Sequence, residues 1–330
     1  MLILAKSILG LALGFVLAIV VGLIIIPVLK QLKAGQNVSR LINKRHLKKE
    51  GTPTIGGLIF IIPPIIALSL LALRGSIDIS PNLIIVIFVF LSYALLGFID
   101  DFLKIKFHNN KGLSTMTKFV AQLLIAVVFY TIYKHNGGTT TLEITLINFK
   151  WDMGWFYGLF ILFLLVGTTN AVNITDGLDG LCGGLSVMAF LSYGVITWGS
   201  DWIAGYEGMA IFAFILVGSL LGFLLFNSHP ARVFMGDTGS LALGGALATI
   251  AILTHHELSL ALIGGVFVIE TLSSLIQIIS IRKFNKKVFL KAPIHHHFEE
   301  LGWSETDIVK IFWTIGFLLA MFGVIYGVWL

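Results

Sequence analysis

Charge is scarce in this chain. Only 12% of its 330 residues are Asp, Glu, Lys or Arg, about half the share of an ordinary soluble domain, which excludes a water-bathed fold of this size. Cysteine is scarcer: the lone Cys182 rules out an intrachain disulfide and any cysteine-based metal cage, leaving a buried inert thiol. No Walker-type Gly-Lys-Ser/Thr motif and no GxGxxG occurs, so neither an ATPase nor a Rossmann enzyme is supported. There is no nucleic-acid-binding module, and topology explains the net charge of +5. Internal repeats and low-complexity tracts are also missing, which argues against a repeat-built transporter.

Apolar residues are abundant instead. They make up 57% of the chain, and the mean hydropathy is +0.96. These values describe an all-α polytopic membrane protein, one integral-membrane domain over 1–330. A membrane-crossing helix needs roughly 20 apolar residues. On that criterion about ten transmembrane helices are expected, near 3–29, 54–73, 83–100, 118–134, 154–170, 181–198, 207–227, 240–254, 260–281 and 307–329. The first apolar run ends in a basic loop without a small-residue cleavage site, as a retained span would. Most of the 22 Lys and Arg fall in four segments, 30–50, 101–118, 228–239 and 282–306. The positive-inside rule makes those segments cytoplasmic and both termini extracytoplasmic. On the opposite side, 139–148 alternates Thr, Leu, Glu and Ile, the pattern of a small β-hairpin or an irregular loop.

The stretch Asn170-Ala171-Val172-Asn173-Ile174-Thr175-Asp176-Gly177-Leu178-Asp179-Gly180 puts two acids and two amides between two apolar runs. Polar groups beside lipid are costly unless they face water, protein or a ligand. Helix capping and turn formation are one explanation; a polar site at one membrane surface is the other, and the density favours the site. Asp100-Asp101 closes the third span. Two adjacent carboxylates there oppose the helix dipole and repel each other, so either Lys104 and Lys106 or a divalent metal must compensate. Asp237, between Gly236 and Gly239, is either an N-cap of the eighth helix or a member of the same cluster. Together Asp100, Asp101, Asp176, Asp179 and Asp237 place five carboxylates on one membrane face, a donor type suited to Mg²⁺. Three consecutive histidines, His295, His296 and His297, cannot all turn to one metal from a regular helix, so they read as phosphate or sugar contacts or as a surface basic patch. Glu270 is the one acid well inside a span. It is expected to face the bundle or the rear of the site, whereas a proton- or cation-coupled transporter would need acids at mid-bilayer depth.

Five segments carry a resemblance: HLKKEGTPTIGG (46–57), DDFLK with KGLS (100–104, 111–114), NAVNITDGLDG (170–180), NSHPARVFMGDTGS (227–240) and APIHHHFE (292–299). In this order they resemble the phospho-N-acetylmuramoyl-pentapeptide transferases, a branch of the polyprenyl-phosphate N-acetylhexosamine 1-phosphate transferase superfamily. The triple histidine and GTPT favour that branch over the one using N-acetylglucosamine phosphate. Ile55 stands where Met is common, and Ile42-Asn43 where Gly-Pro is frequent.

The resemblance implies a bacterial plasma-membrane enzyme with its active site facing the cytoplasm. It implies UDP-N-acetylmuramoyl-pentapeptide and undecaprenyl phosphate as substrates, Mg²⁺ as cofactor, membrane lipid as surroundings, and a homodimer. Asp237 would bind Mg²⁺ with Asp100 and Asp101 beside it. Asn170, Asn173, Asp176, Gly177, Leu178, Asp179, Gly236 and Ser240 would shape the nucleoside and phosphate pocket. Phe234 would stack on uracil near Gln277. Lys49, Thr54, Lys104, Lys111, Lys118, His295, His296 and His297 would hold phosphates and sugar. Phosphoryl transfer needs mostly positioning and charge neutralisation, which such a set supplies.

Overall fold

The computed structural model describes residues 2–32, 49, 51–107, 112–144, 147, 149–199 and 205–328. Lys111 and the basic residues of 33–48 lie outside the described residues. Among these, nine helices are long and apolar enough to cross a membrane: α1 (Leu2–Gln31), α3 (Pro81–Lys106), α4 (Thr115–His135), α5 (Phe156–Thr175), α6 (Leu181–Gly199), α7 (Tyr206–Asn227), α8 (Gly236–Leu253), α10 (Gly265–Phe284) and α12 (Glu305–Val328). α2 (Leu58–Leu73), α9 (Glu257–Ile263) and α11 (Ile294–Glu300) are shorter.

The differences from the expected spans have local causes. α2 has 16 residues, about 24 Å at the α-helical rise, less than the hydrocarbon thickness. It starts at Leu58 because Ile55 takes a positive φ of 68° and Gly56 and Gly57 instead hydrogen-bond the carbonyls of Phe234 and Met235. α3 runs on to Lys106, so Asp100 and Asp101 lie within it, and Lys104 and Lys106 occupy its last turn, where cations suit the dipole. The expected 260–281 span is broken at Gly264 into α9 and α10. Serine caps set two helix starts: Ser80 accepts from Leu83 N at 3.2 Å ahead of Pro81, and Ser114 accepts from Thr117 N at 3.0 Å.

A hairpin does form, but it begins at Thr141 and runs on to Asp152, past the 139–148 alternation. β1 (Thr141–Ile144) pairs antiparallel with β2 (Phe149–Asp152), Thr141 opposite Asp152. The second strand draws on Phe149 and Trp151, good strand formers, and on a Lys150–Glu143 cross-strand ion pair of 2.7 Å.

α7 and α8 form the centre of the bundle and are almost wholly buried. α7 packs on α1, α2, α3 and α6; α8 packs on α3 and α5. With no hydrophobic force between helices in lipid, close backbone approach through small residues does the joining, and α8 is rich in Gly and Ala. One such close approach positions the site. A Cβ on Gly97 of α3 would lie 2.1 Å from the Asp237 carbonyl oxygen. Gly97→Ala should therefore push α3 off α8, costing about 1–3 kcal/mol as overpacking does. A lowered apparent Tm with reduced turnover in detergent is the expected result; wild-type values in both would contradict this packing.

Candidate active site

Three carboxylates meet where α3 passes the start of α8. Asp100, Asp101 and Asp237 each offer an oxygen, all within 4.8 Å of one another, although 136 residues separate Asp101 from Asp237. Asp100 and Asp101 are buried. Two lysines lie between the acids. Lys104 Nζ is 2.6 Å from Asp100 Oδ2, 2.9 Å from Asp237 Oδ2 and 3.7 Å from Asp101 Oδ1. Lys118 Nζ is 3.2 Å from Asp100 Oδ2 and also pairs with Asp237 Oδ2.

The three acids have different partners. Asp101 ties α3 to the first turn of α8: Oδ1 accepts from Asp237 N at 3.2 Å, and Oδ2 from Thr238 N at 2.9 Å and Thr238 Oγ1 at 2.7 Å. An anion at the positive end of a helix is favourably placed. Asp100 Oδ1 accepts from Leu113 N at 2.7 Å, while buried Oδ2 has ammonium groups near it but no aligned hydrogen bond. Asp237 is not an N-cap: α8 begins at Gly236 without a side-chain cap. Its Oδ1 instead accepts from Asn173 Nδ2 at 2.7 Å. Asn173 Nδ2 is also 2.8 Å from Ser240 Oγ, which joins the end of α5 to α8. Gly236 has a φ of +68°, and a Cβ there would lie 2.4 Å from Asp101 Oδ2 and 2.6 Å from Thr54 Oγ1; only glycine lets the chain pass between them.

A second charged group adjoins the first. Lys49 Nζ is 2.7 Å from Asp179 Oδ1 and 2.6 Å from Glu305 Oε1, and 6.0 Å from the centre of the Phe234 ring. Asp179 Oδ2 lies 3.0 Å from both Ala231 N and His229 Nδ1. Burial lowers the Lys49 pKa, but the carboxylates of Glu305 and Asp179 outweigh it and raise the ammonium above its ordinary value. Asp176 lies at the end of α5 between the two groups. Burial, then the carboxylates of Asp237, Asp101 and Asp179, push its pKa up to about 8.

The other candidate residues fall at varying distances from this centre. Gly177 lies against His295: a Cβ on it would be 2.3 Å from Nε2. Leu178 is buried beneath the turn. Asn170, one turn below Asn173, donates to Gln122 Oε1 of α4 at 2.7 Å and braces the bundle. Gln277 bonds the backbone of Val288 and Phe289 through both amide atoms. The histidines diverge, as α11 geometry requires: Nδ1 of His295 contacts Glu270, Nδ1 of His296 contacts Glu299, and Nδ1 of His297 accepts from Leu290 N. Burial lowers the His296 pKa, and its bond to Glu299 works against that.

Sequence reasoning did not single out Thr238, His229, Glu305 or Gln122. The first two lie inside a quoted motif. Glu305 lies at the start of α12, where an acid ordinarily reads as a dipole partner.

Comparison with known proteins gives a consistent result. The model of "Glycosyl transferase family 4" matches residues 83–255. Proteins called phospho-N-acetylmuramoyl-pentapeptide-transferase are similar over nearly their whole length. That of Bacillus subtilis (strain 168) is 47% identical over 317 residues, 96% of each chain. That of Geobacillus thermodenitrificans (strain NG80-2) is 45% identical over 323 residues, 98% of each. That of Oceanobacillus iheyensis is 46% identical over 311 residues, 94% of each.

Proposed function

The chain belongs to glycosyl transferase family 4 and, within it, to the phospho-N-acetylmuramoyl-pentapeptide transferases, and from this we infer its reaction in full. It transfers phospho-N-acetylmuramoyl-pentapeptide from the UDP conjugate to undecaprenyl phosphate. UMP is released, and the first lipid-linked peptidoglycan precursor is formed. The observation that carries this reading at the level of atoms is the convergence of Asp100, Asp101 and Asp237 around Lys104 and Lys118.

Mg²⁺ fits this donor set. Three carboxylates converge, and buried Asp100 Oδ2 lacks an aligned hydrogen bond. Asp237 and Asp100 would hold the ion. Asp101 stands beside them with its oxygens engaged by α8. Bound there, Mg²⁺ would neutralise charge on the diphosphate oxygens. The residues do the rest. Lys104 and Lys118 supply fixed positive charge where phosphate oxygens gather. Asn173 holds Asp237, and the turn at Asp176–Asp179, with Lys49 and Phe234, forms the nucleoside side. An acceptor phosphate oxygen attacks the β-phosphorus, and the anhydride bond to UMP breaks. The acceptor is already an anion at neutral pH, so Asp100 positions it and removes a residual proton.

One substrate is water-borne and the other lipid-anchored, so the site belongs at a membrane surface. The basic residues at the same helix ends, Lys30, Lys104, Lys118 and Arg282 among them, support the cytoplasmic face under the positive-inside rule. With the short α2 crossing as a tenth span, that topology puts both termini outside. The chain then acts as one membrane transferase domain, and the homodimer is inferred from the family resemblance.

One diphosphate linkage is broken and one formed, so the reaction should run both ways. Labelled UMP should enter UDP-N-acetylmuramoyl-pentapeptide when purified protein, lipid product and Mg²⁺ are combined. Absence of exchange, or UMP release from UDP-N-acetylglucosamine instead, would overturn the assignment.

A further inference from the structure

α10 faces lipid with most of its surface, yet Glu270, Ser273 and Gln277 form a buried stripe along it, the spacing of one helix face. All three reach the 288–295 segment. Gln277 Oε1 accepts from Val288 N and Phe289 N at 3.0 Å, and its Nε2 donates to Phe289 O at 2.9 Å. Ser273 Oγ accepts from Ile294 N at 3.0 Å. Those contacts hold backbone. Glu270 differs, because Oε2 lies 2.9 Å from a side-chain atom, His295 Nδ1.

Glu270 and His295 are 0% and 1% exposed at their side chains. A carboxylate inside a membrane helix is expensive to retain, and an apolar replacement is often at least as stable. Packing alone therefore does not account for it. Each partner also has one buried polar atom without a hydrogen bond, Glu270 Oε1 and His295 Nε2. That Nε2 lies against Gly177, in the turn assigned above to the sugar nucleotide.

We propose that Glu270 is a positioning residue: it accepts the Nδ1 proton of His295 and so fixes the ring with Nε2 as a bare acceptor facing the Gly177 turn, where it takes a hydroxyl or amide hydrogen of the sugar nucleotide. The carboxylate selects the tautomer because it can only accept. A neutral ring so held cannot donate to phosphate from Nε2, which assigns His295 to a hydrogen-bond donor of the substrate. This rests on the transferase reading, but its first test does not.

¹⁵N NMR of histidine-labelled protein without substrate reads the tautomer directly, with the His295 signal assigned by its loss in His295→Gln. Protonated Nδ1 with unprotonated Nε2 is expected; a proton on Nε2, in the other tautomer or in the imidazolium, would overturn the proposal, whether or not turnover is measured. Kinetically, Glu270→Gln should raise KM for UDP-N-acetylmuramoyl-pentapeptide about tenfold, the loss of one oriented contact. KM for undecaprenyl phosphate and kcat should stay within about twofold of wild type. In the double variant with His295→Gln, the two effects should not add. Equal losses for both substrates, or full additivity, would reduce Glu270 to a structural brace and refute the assignment.

Discussion

Asp237→Asn should fold like wild type and lose on the order of a thousandfold in kcat. Asparagine keeps an oxygen to accept from Asn173, whose Nδ2 lies 2.7 Å from Oδ1, so the junction of α5 and α8 survives. The charge does not. Lys104 and Lys118 converge on Asp237 Oδ2, and without it the two ammonium groups face only Asp100 and Asp101 across a buried space. Removing a carboxylate also takes away one of the oxygens suited to Mg²⁺. The loss should therefore fall as Mg²⁺ is raised, and the apparent Tm should match wild type. Full activity of the purified variant at ordinary Mg²⁺ would contradict the role given to this residue.

Asp101→Ala should fail differently. Its two oxygens accept three hydrogen bonds from the first turn of α8. Truncation leaves the amides of Asp237 and Thr238 without that acceptor, at a cost of about 3 kcal/mol for charge-assisted bonds lost from a buried site. It also frees the start of α8, which carries Asp237. A displacement of about 1 Å there is enough to lower turnover roughly a hundredfold. A lowered Tm together with lowered turnover, both partly restored in Asp101→Asn, is expected. Loss of activity at an unchanged Tm would instead make Asp101 a ligand like its neighbour. Adjacent in sequence, Asp100 and Asp101 should thus separate by measurement: Asp101 fastens two helices, and Asp100 is the one proposed to face the reacting phosphates.

That division was not legible in the chain. Density of acids in an apolar context marked Asp100, Asp101 and Asp237 as a group, because lipid leaves few other reasons for them. Which oxygen a neighbouring backbone would occupy depends on how α3 crosses α8. The crossing is set by Gly97, whose role appears only when the facing carbonyl is known. Composition likewise could not show that Asp237 is held by Asn173 rather than capping α8. It is the family resemblance that implies a pocket role for Gln277 and Asn170. The partners those two amides have in the fold, the 288–289 backbone and Gln122, depend on how the helices pack and were not legible in the chain. Glu305 escaped notice because its partners, Lys49 and the Asp179 amide, are far away in sequence. Span positions were more accessible, since hydropathy alone carries them. Their ends moved where a helix continued through charged residues, as α3 does to Lys106, or where a glycine broke it, as at Gly264. The hairpin overlaps the alternating stretch but runs past it, because Phe149 and Trp151 extend the second strand to Asp152.

The account depends most on one divalent ion being held by side chains from α3 and α8 together. Electron paramagnetic resonance of Mn²⁺ titrated into the purified protein, with UMP present, measures this without turnover. One bound ion per chain is predicted for wild type, weakened at least about tenfold in both Asp237→Asn and Asp100→Asn and unchanged in Asp152→Asn on the distant hairpin. Wild-type affinity in both Asp237→Asn and Asp100→Asn would contradict it.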